Sequence, residues 1–252
     1  MDHFLVMPVH DPKRIFLPHL ERVTPAIKQH FTGAVVSVAS GENARLLADP
    51  FYHLVTVASS LPVGAQFHAL YRHAAETCPP EAVLHLCFAD RLVFQVAGEF
   101  RESFFDSIRE LRPESLPLIF QRSPAAWATH PRNYREIESA ISTVARWVFG
   151  RTLDIAWCHV AVEAGNLKKI LPAIRRTDMS MMAEIILQLH KDIKTEDVDW
   201  LAWEDPFILG REAGELMRER EESLEETRKR LAYALPMMDV LYKAGNSNNL
   251  GI

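Results

Sequence analysis

The chain has 252 residues, 48% of them hydrophobic, so it carries enough apolar material to bury a sizeable core. Its formal net charge of -5 comes from 28 basic and 33 acidic residues intermixed along the sequence, which excludes a basic nucleic-acid-binding face and a polybasic membrane anchor. Three scattered cysteines, Cys78, Cys87 and Cys158, are too few for a disulfide framework or a zinc-ligand pair and suit the interior of a protein in a reducing compartment.

Asp2 and His3 precede a short apolar run at residues 4–7, which lacks the pattern of a secretory signal. No run approaches the roughly 20 apolar residues of a membrane span, so a cytoplasmic location without a transmembrane segment is expected. An apolar run at 4–9, a helical pattern at 16–31 and a second apolar run at 34–39 read as a βαβ opening. A third run at 53–58 leads through Pro62 and Gly64 into a helix at 65–76, and a fourth at 82–88 ends at Ala89-Asp90-Arg91. Near-continuous apolar strands separated by helices imply a parallel sheet covered on both faces, and such sheets bind ligands at the carboxyl ends of their strands.

Residues 100–111 read as a helix, 116–121 as a strand and 134–149 as a long helix with apolar Ile137, Ile141, Val144, Ala145 and Val148 on one face. A strand at 155–162, on an edge of the sheet, and a short helix at 167–174 follow, and Asp178 is placed to cap a helix at 179–189. Residues 206–242 read as one charged helix, in which Met217, Leu224, Leu231 and Met238 recur every seven residues as a seam. That seam packs on its own domain or joins two copies in a homodimer. Glu225 with Lys229 and Glu226 with Arg230 flank it at i,i+4 spacing, Pro236 is expected to kink or divide the helix, and the Asn- and Gly-rich tail is expected to be mobile.

A glycine-led helix, Gly64-Ala65-Gln66, followed by a strand that ends in an acidic residue, resembles the GT-A nucleotide-diphospho-sugar transferases over roughly residues 3–200. The phrases Phe120-Gln121-Arg122-Ser123, Ala126-Trp127-Ala128-Thr129-His130-Pro131 and Arg176-Thr177-Asp178 are similar to those of bacterial GT-A-like proteins, where the first commonly reads Gly-Arg-Thr and the strand end Asp-Phe-Asp-Arg. The resemblance implies a Rossmann-like GT-A α/β fold, a mostly parallel sheet flanked by helices. It divides the chain into a nucleotide-sugar-binding domain at 1–200, a C-terminal helical extension at 201–243 and a flexible tail at 244–252. The activity it implies is transfer of a sugar from a nucleoside diphosphate donor to an acceptor, with Mg²⁺ or Mn²⁺ on the diphosphate.

In that family an Asp-x-Asp motif holds the metal. Here Asp90 fits the second carboxylate as a metal ligand, but Phe88 stands where the first would be, and one carboxylate holds such an ion poorly. Arg91 can contact phosphate directly, since a guanidinium supplies paired donors; capping of a strand end explains both residues as well. Asp178 matches the placement of the catalytic base that deprotonates the acceptor hydroxyl, and helix capping predicts the same residue type. Pro8, His10 and Asp11 after the first strand and Ser40 after the second lie where the family contacts base and ribose. Gly64 can let backbone approach a ligand, while Gln66 brings no charge where the family often has arginine.

His130, His159 and His190 suit a metal or proton transfer but form no ligand pair at short spacing, and Trp200 and Trp203 are either an acceptor wall or core. Two readings therefore stand: a glycosyltransferase, and a catalytically inactive GT-A-like binding or scaffolding protein in which Phe88 and Gln66 have replaced charged chemistry. A dinucleotide-dependent oxidoreductase is disfavoured, because the first strand runs into Pro-Val-His-Asp-Pro rather than a glycine-rich turn.

Overall fold

A computed structural model describes residues 1–11, 13–39, 48–156, 159–203 and 208–246. Strand β1 (His3–Val9), helix α1 (Leu17–Ile27) and strand β2 (Gly33–Ala39) form the expected opening, followed by β3 (Tyr52–Val57), α2 (Val63–Thr77) and β4 (Val83–Leu86). β1 pairs in parallel with both β2 and β4, and β2 in parallel with β3. After β4 come α3 (Ala89–Ala97), α4 (Arg101–Glu110), β5 (Leu118–Arg122), α5 (Pro124–Thr129) and α6 (Arg132–Phe149). The remaining elements of the body are β6 (His159–Glu163), α7 (Ala164–Ile170), α8 (Met181–Leu189) and β7 (Lys194–Val198).

The result is a seven-stranded, mostly parallel sheet in the order β3-β2-β1-β4-β6-β5-β7, in which β6 runs antiparallel to both its neighbours. The expected α/β class, with helices on both faces and a C-terminal helix, is observed. The strand expected on an edge is instead the interior strand β6, and the edge is taken by β7, whose Lys-Thr-Glu-Asp-Val sequence reads as no strand at all. A charged edge strand with one hydrogen-bonded neighbour has little apolar surface to cover, which is why its pattern is silent.

Because side chains alternate across a strand, β1 divides between two cores: Leu5, Met7 and Val9 face α1, α3 and α4, while Val6 faces α2, α7 and α8. The charged C-terminal stretch is two helices, α9 (Ala213–Glu222) and α10 (Leu224–Asn246). They divide at Ser223, whose φ of -76° and ψ of 109° leave the helix, and not at Pro236, which lies within α10. Helix α10 packs against α6 and α8. Its buried residues are Ala234, Met237, Val240 and Leu241, all part of the core under α2, α6 and α8. The seven-residue seam is thus not the buried face: Leu224 is 62% and Leu231 38% exposed. Glu225 pairs with Lys229 as expected, but Arg230 turns away from Glu226 to Glu138 of α6. Among the described residues no helix is long and apolar enough to cross a membrane. Cys78 and Cys87 are buried thiols, as expected, whereas Cys158 lies outside the described residues.

Candidate functional site

The chain steps from β1 outward to β2 and β3 and then returns to the other side of β1 as β4, so the connections diverge at the carboxyl ends of β1 and β4. Divergence leaves a crevice that no crossover covers, the usual ligand position in an open α/β sheet. A cavity of about 500 Å³ opens there, walled by Pro8, His10 and Asp11 after β1, by Gln66 of α2, and by Phe88 and Asp90 at the start of α3. A second cavity of about 210 Å³ continues past Phe88, Asp90 and Met179 to Arg91 and to Arg230 and Tyr233 of α10.

Five of the residues singled out in the sequence thus converge on one cleft: Pro8, His10, Asp11, Gln66 and Asp90. Arg91 lines its continuation. Ser40 lies outside the described residues. The carboxylate of Asp11 accepts hydrogen bonds from the backbone N–H groups of Ile15 (2.8 Å), Phe16 (2.7 Å) and Leu17 (2.8 Å). The Leu17 N–H is an orphan donor of the first turn of α1, and those of Phe16, its N-cap, and Ile15 lie just ahead of it, so Asp11 anchors the start of that helix at the cleft. The Gln66 amide donates to the Leu61 carbonyl at 2.8 Å and fixes the loop ahead of α2.

Gly64 does permit a close backbone approach, but the partner is the chain itself. A Cβ built there would lie 2.4 Å from the Asp178 carbonyl oxygen, and the Gly64 N–H donates to the Thr177 carbonyl at 2.9 Å. This contact carries Met179 into the cleft wall. Asp178 itself precedes the N-cap of α8, which is Ser180, and its carboxylate accepts from the Ser180 N–H at 2.8 Å and from the Ser180 hydroxyl.

Asp90 sits in the first turn of α3 with its side chain 34% exposed, 3.4 Å from the guanidinium of Arg91, which also lies over the Phe94 ring. The Phe88 ring packs edge-on against Phe67 at 5.6 Å. One carboxylate paired to a guanidinium, beside a phenyl ring, falls short of the oxygen ligands that Mg²⁺ or Mn²⁺ takes. Among the described residues no group of three or more His, Cys, Asp and Glu side chains could hold a metal ion. The donor set at Asp90 does not fit a divalent metal.

The other candidates lie in the interior. His159 and His85 are buried against each other, Nδ1 to Nε2 at 3.2 Å, and burial, then the neighbouring imidazole, holds His159 well below its ordinary value. His130 bonds the Ala126 carbonyl through Nδ1 at 2.9 Å, and burial, reinforced by Arg122, pushes it down to about 3. His190 caps the end of α8 through the Leu187 carbonyl at 2.6 Å. Trp200 is a core residue whose indole donates to the Ser107 hydroxyl at 3.1 Å, and Trp203 is buried too.

Sequence reasoning missed a buried charge network behind the cleft. Arg122, at the end of β5, binds Asp154 through Nε at 2.6 Å and Nη2 at 2.7 Å, and Glu138 of α6 through Nη1 at 2.6 Å. The other oxygen of Glu138 receives Arg230 at 3.0 Å and the Tyr233 hydroxyl. Burial alone would raise the Glu138 carboxyl, but the Arg122 and Arg230 guanidiniums outweigh it and hold it at about 2. The phrase containing Arg122 was visible in the sequence; its partners, at 138, 154 and 230, are brought to it only by the fold. No family model matches the chain, and no curated protein matches it.

Proposed function

We propose that the chain is a GT-A-like protein that binds a nucleoside diphosphate sugar in the cleft at the ends of β1 and β4 and transfers the sugar to a hydroxyl acceptor. The observation that carries this reading is the convergence of Pro8, His10, Gln66 and Asp90 on a cavity of about 500 Å³ at the point where the strand connections diverge. The nucleotide lies against Pro8 and His10, while Asp11 holds the first turn of α1 beneath it. Arg91 faces the diphosphate, and Asp90 orients its guanidinium. Asp178 is the base for the acceptor hydroxyl, with its carboxylate set by Ser180. Cationic side chains take the part that a divalent ion plays in the family pattern.

A second reading, a noncatalytic GT-A-like binding protein, is favoured by one observation: Phe88 occupies a motif carboxylate position and packs on Phe67. Both readings are tested by melting the purified chain with UDP, GDP, ADP and their sugar conjugates, with and without Mn²⁺. At a hundredfold excess over Kd, a bound donor contributes about 2.7 kcal/mol to stability. One nucleotide should raise Tm in the native chain without Mn²⁺, and Arg91→Ala should lose the shift. Hydrolysis or transfer of the bound donor identifies the transferase, and binding without turnover the second reading. If no nucleotide shifts Tm, the cleft has another use.

A further inference from the structure

A separate cavity of about 500 Å³ lies at the carboxyl end of β5, between α5, α6 and the segment ahead of β6. It shares no described lining residue with the cleft or its continuation. We propose that this cavity is a binding site for a neutral saccharide, independent of the nucleotide reading of the cleft.

Its charge argues for a neutral ligand. Arg122 and Arg146 face it together with Asp154 and Asp197, two cations and two anions. The Arg122 charge is already matched by Asp154 and Glu138, so the wall offers an anion no net attraction. The lining also sets the hydroxyls of Ser139, Ser142, Thr143 and Thr152 beside apolar surface, a mixture that suits a guest with both kinds of group.

Those hydroxyls are disposed to accept. Ser139 donates to the Glu136 carbonyl at 3.1 Å and Thr143 to the Ser139 carbonyl at 2.9 Å, so each hydroxyl keeps its lone pairs as acceptors. Among the described residues the Asp197 carboxylate takes one hydrogen bond, from the Gln121 amide at 2.6 Å, so it retains acceptor capacity. Ser142 supplies an independent sign of a missing partner. Its residue is only 8% exposed, it lines the cavity, and its hydroxyl has no hydrogen-bond partner among the described residues. Most buried hydroxyls are paired, and a helical serine ordinarily back-bonds to the preceding turn; this one does neither.

Acceptors from hydroxyls and a carboxylate, a donor from Arg146 and the part of the Trp127 indole left by the Arg122 guanidinium, which covers one ring face at 3.5 Å, match a molecule that carries several O–H groups and apolar C–H groups. A sugar ring has both. A single inorganic anion or a fatty chain lacks one or both.

The test uses the full chain and saturation-transfer NMR with glucose, galactose, mannose, N-acetylglucosamine and their β1,4- and α1,4-linked disaccharides, beside glucose 6-phosphate and glucuronate. At least one neutral sugar should bind saturably. Ser142→Ala and Asp197→Asn should each weaken it roughly three- to tenfold, the effect of one lost hydrogen bond. Ser142→Ala should leave the unliganded Tm unchanged or higher, since it removes a buried hydroxyl with no partner. UDP should not displace the sugar. The proposal is overturned if no neutral sugar saturates, if both variants bind like the native chain, if the charged sugars bind more tightly than glucose, or if UDP competes. Failure of the nucleotide panel leaves these outcomes unaffected.

Discussion

Glu138 is the residue on which the interior charges depend, because its two oxygens serve two different guanidiniums, Arg122 and Arg230. Neutralising it leaves both cations facing each other without their shared anion, while Asp154 satisfies only Arg122. Breaking a buried pair in this way costs about 3–5 kcal/mol. Glu138→Gln is therefore expected to lower unfolding stability by about that amount, and urea denaturation at neutral pH measures it. A smaller change acts by shape alone. A methyl group at Gly64 meets backbone at 177 and 178 rather than a side chain that could turn away. Gly64→Ala should cost about 1–3 kcal/mol by forcing α2 from that segment. It should also disturb the Met179 wall, so that any nucleotide shift in Tm shrinks together with the stability.

The elements that were legible in the sequence are those that bury a continuous or periodic apolar face. β1, β2, α2 and α6 declare themselves this way, and their order announces the parallel sheet. Three elements were silent for separate reasons. β7 is a charged edge strand. In α3, the run Leu92-Val93-Phe94-Gln95-Val96 is buried throughout, Gln95 included, and the nine-residue helix is too short for its period to stand out from a strand-like apolar run. α5 is a six-residue helix begun by Ser123, whose hydroxyl accepts the Ala126 N–H at 3.0 Å. Within the site, residues just after strands were legible because a sheet of this kind exposes them, whereas Arg230 and Tyr233 arrive from the far end of the chain. The packing of the seam on its own domain failed at Leu224 and Leu231, because regular spacing identifies a face and not its burial. The distinction is measurable: Met237→Ala, at a fully buried position, should cost about 2–5 kcal/mol, and Leu231→Ala, at 38% exposure, clearly less. Thermal denaturation of the two variants decides which face α10 uses.

At the scale of the whole molecule, three buried neutral imidazoles set the response to acid. Burial, aided by neighbouring cations or imidazoles, pushes His85 and His130 down to about 3 and His159 well below its ordinary value. Above the ordinary value of 6.5 neither the folded nor the unfolded chain is protonated at these groups, and they do not affect stability. Below it the unfolded chain takes up protons that the folded chain refuses, so stability is lost at up to about 1.4 kcal/mol per pH unit for each histidine. The loss continues toward pH 3, where His85 and His130 titrate in the fold. Glu138 adds to it lower down: its contribution is present above the ordinary 4.5 and disappears as pH falls to about 2. Unfolding free energies at pH 7.5, 6 and 5 should therefore begin to fall near pH 6.5, before ordinary carboxylates titrate, and replacing His85 with Phe should shallow the slope.

The reversed direction of β6 bears on the order in which the sheet is assembled. β1 to β4 lie within the first 86 residues and, among the described residues, pair as strands only with one another and with β6. β5 and β7 pair with each other, but nothing joins them to the first four strands until β6 enters between β4 and β5. Closure of the sheet thus waits on a segment about 40 residues beyond β5. During synthesis the amino-terminal half can gather as a unit, while β5 waits on the ribosome's delivery of both its neighbours.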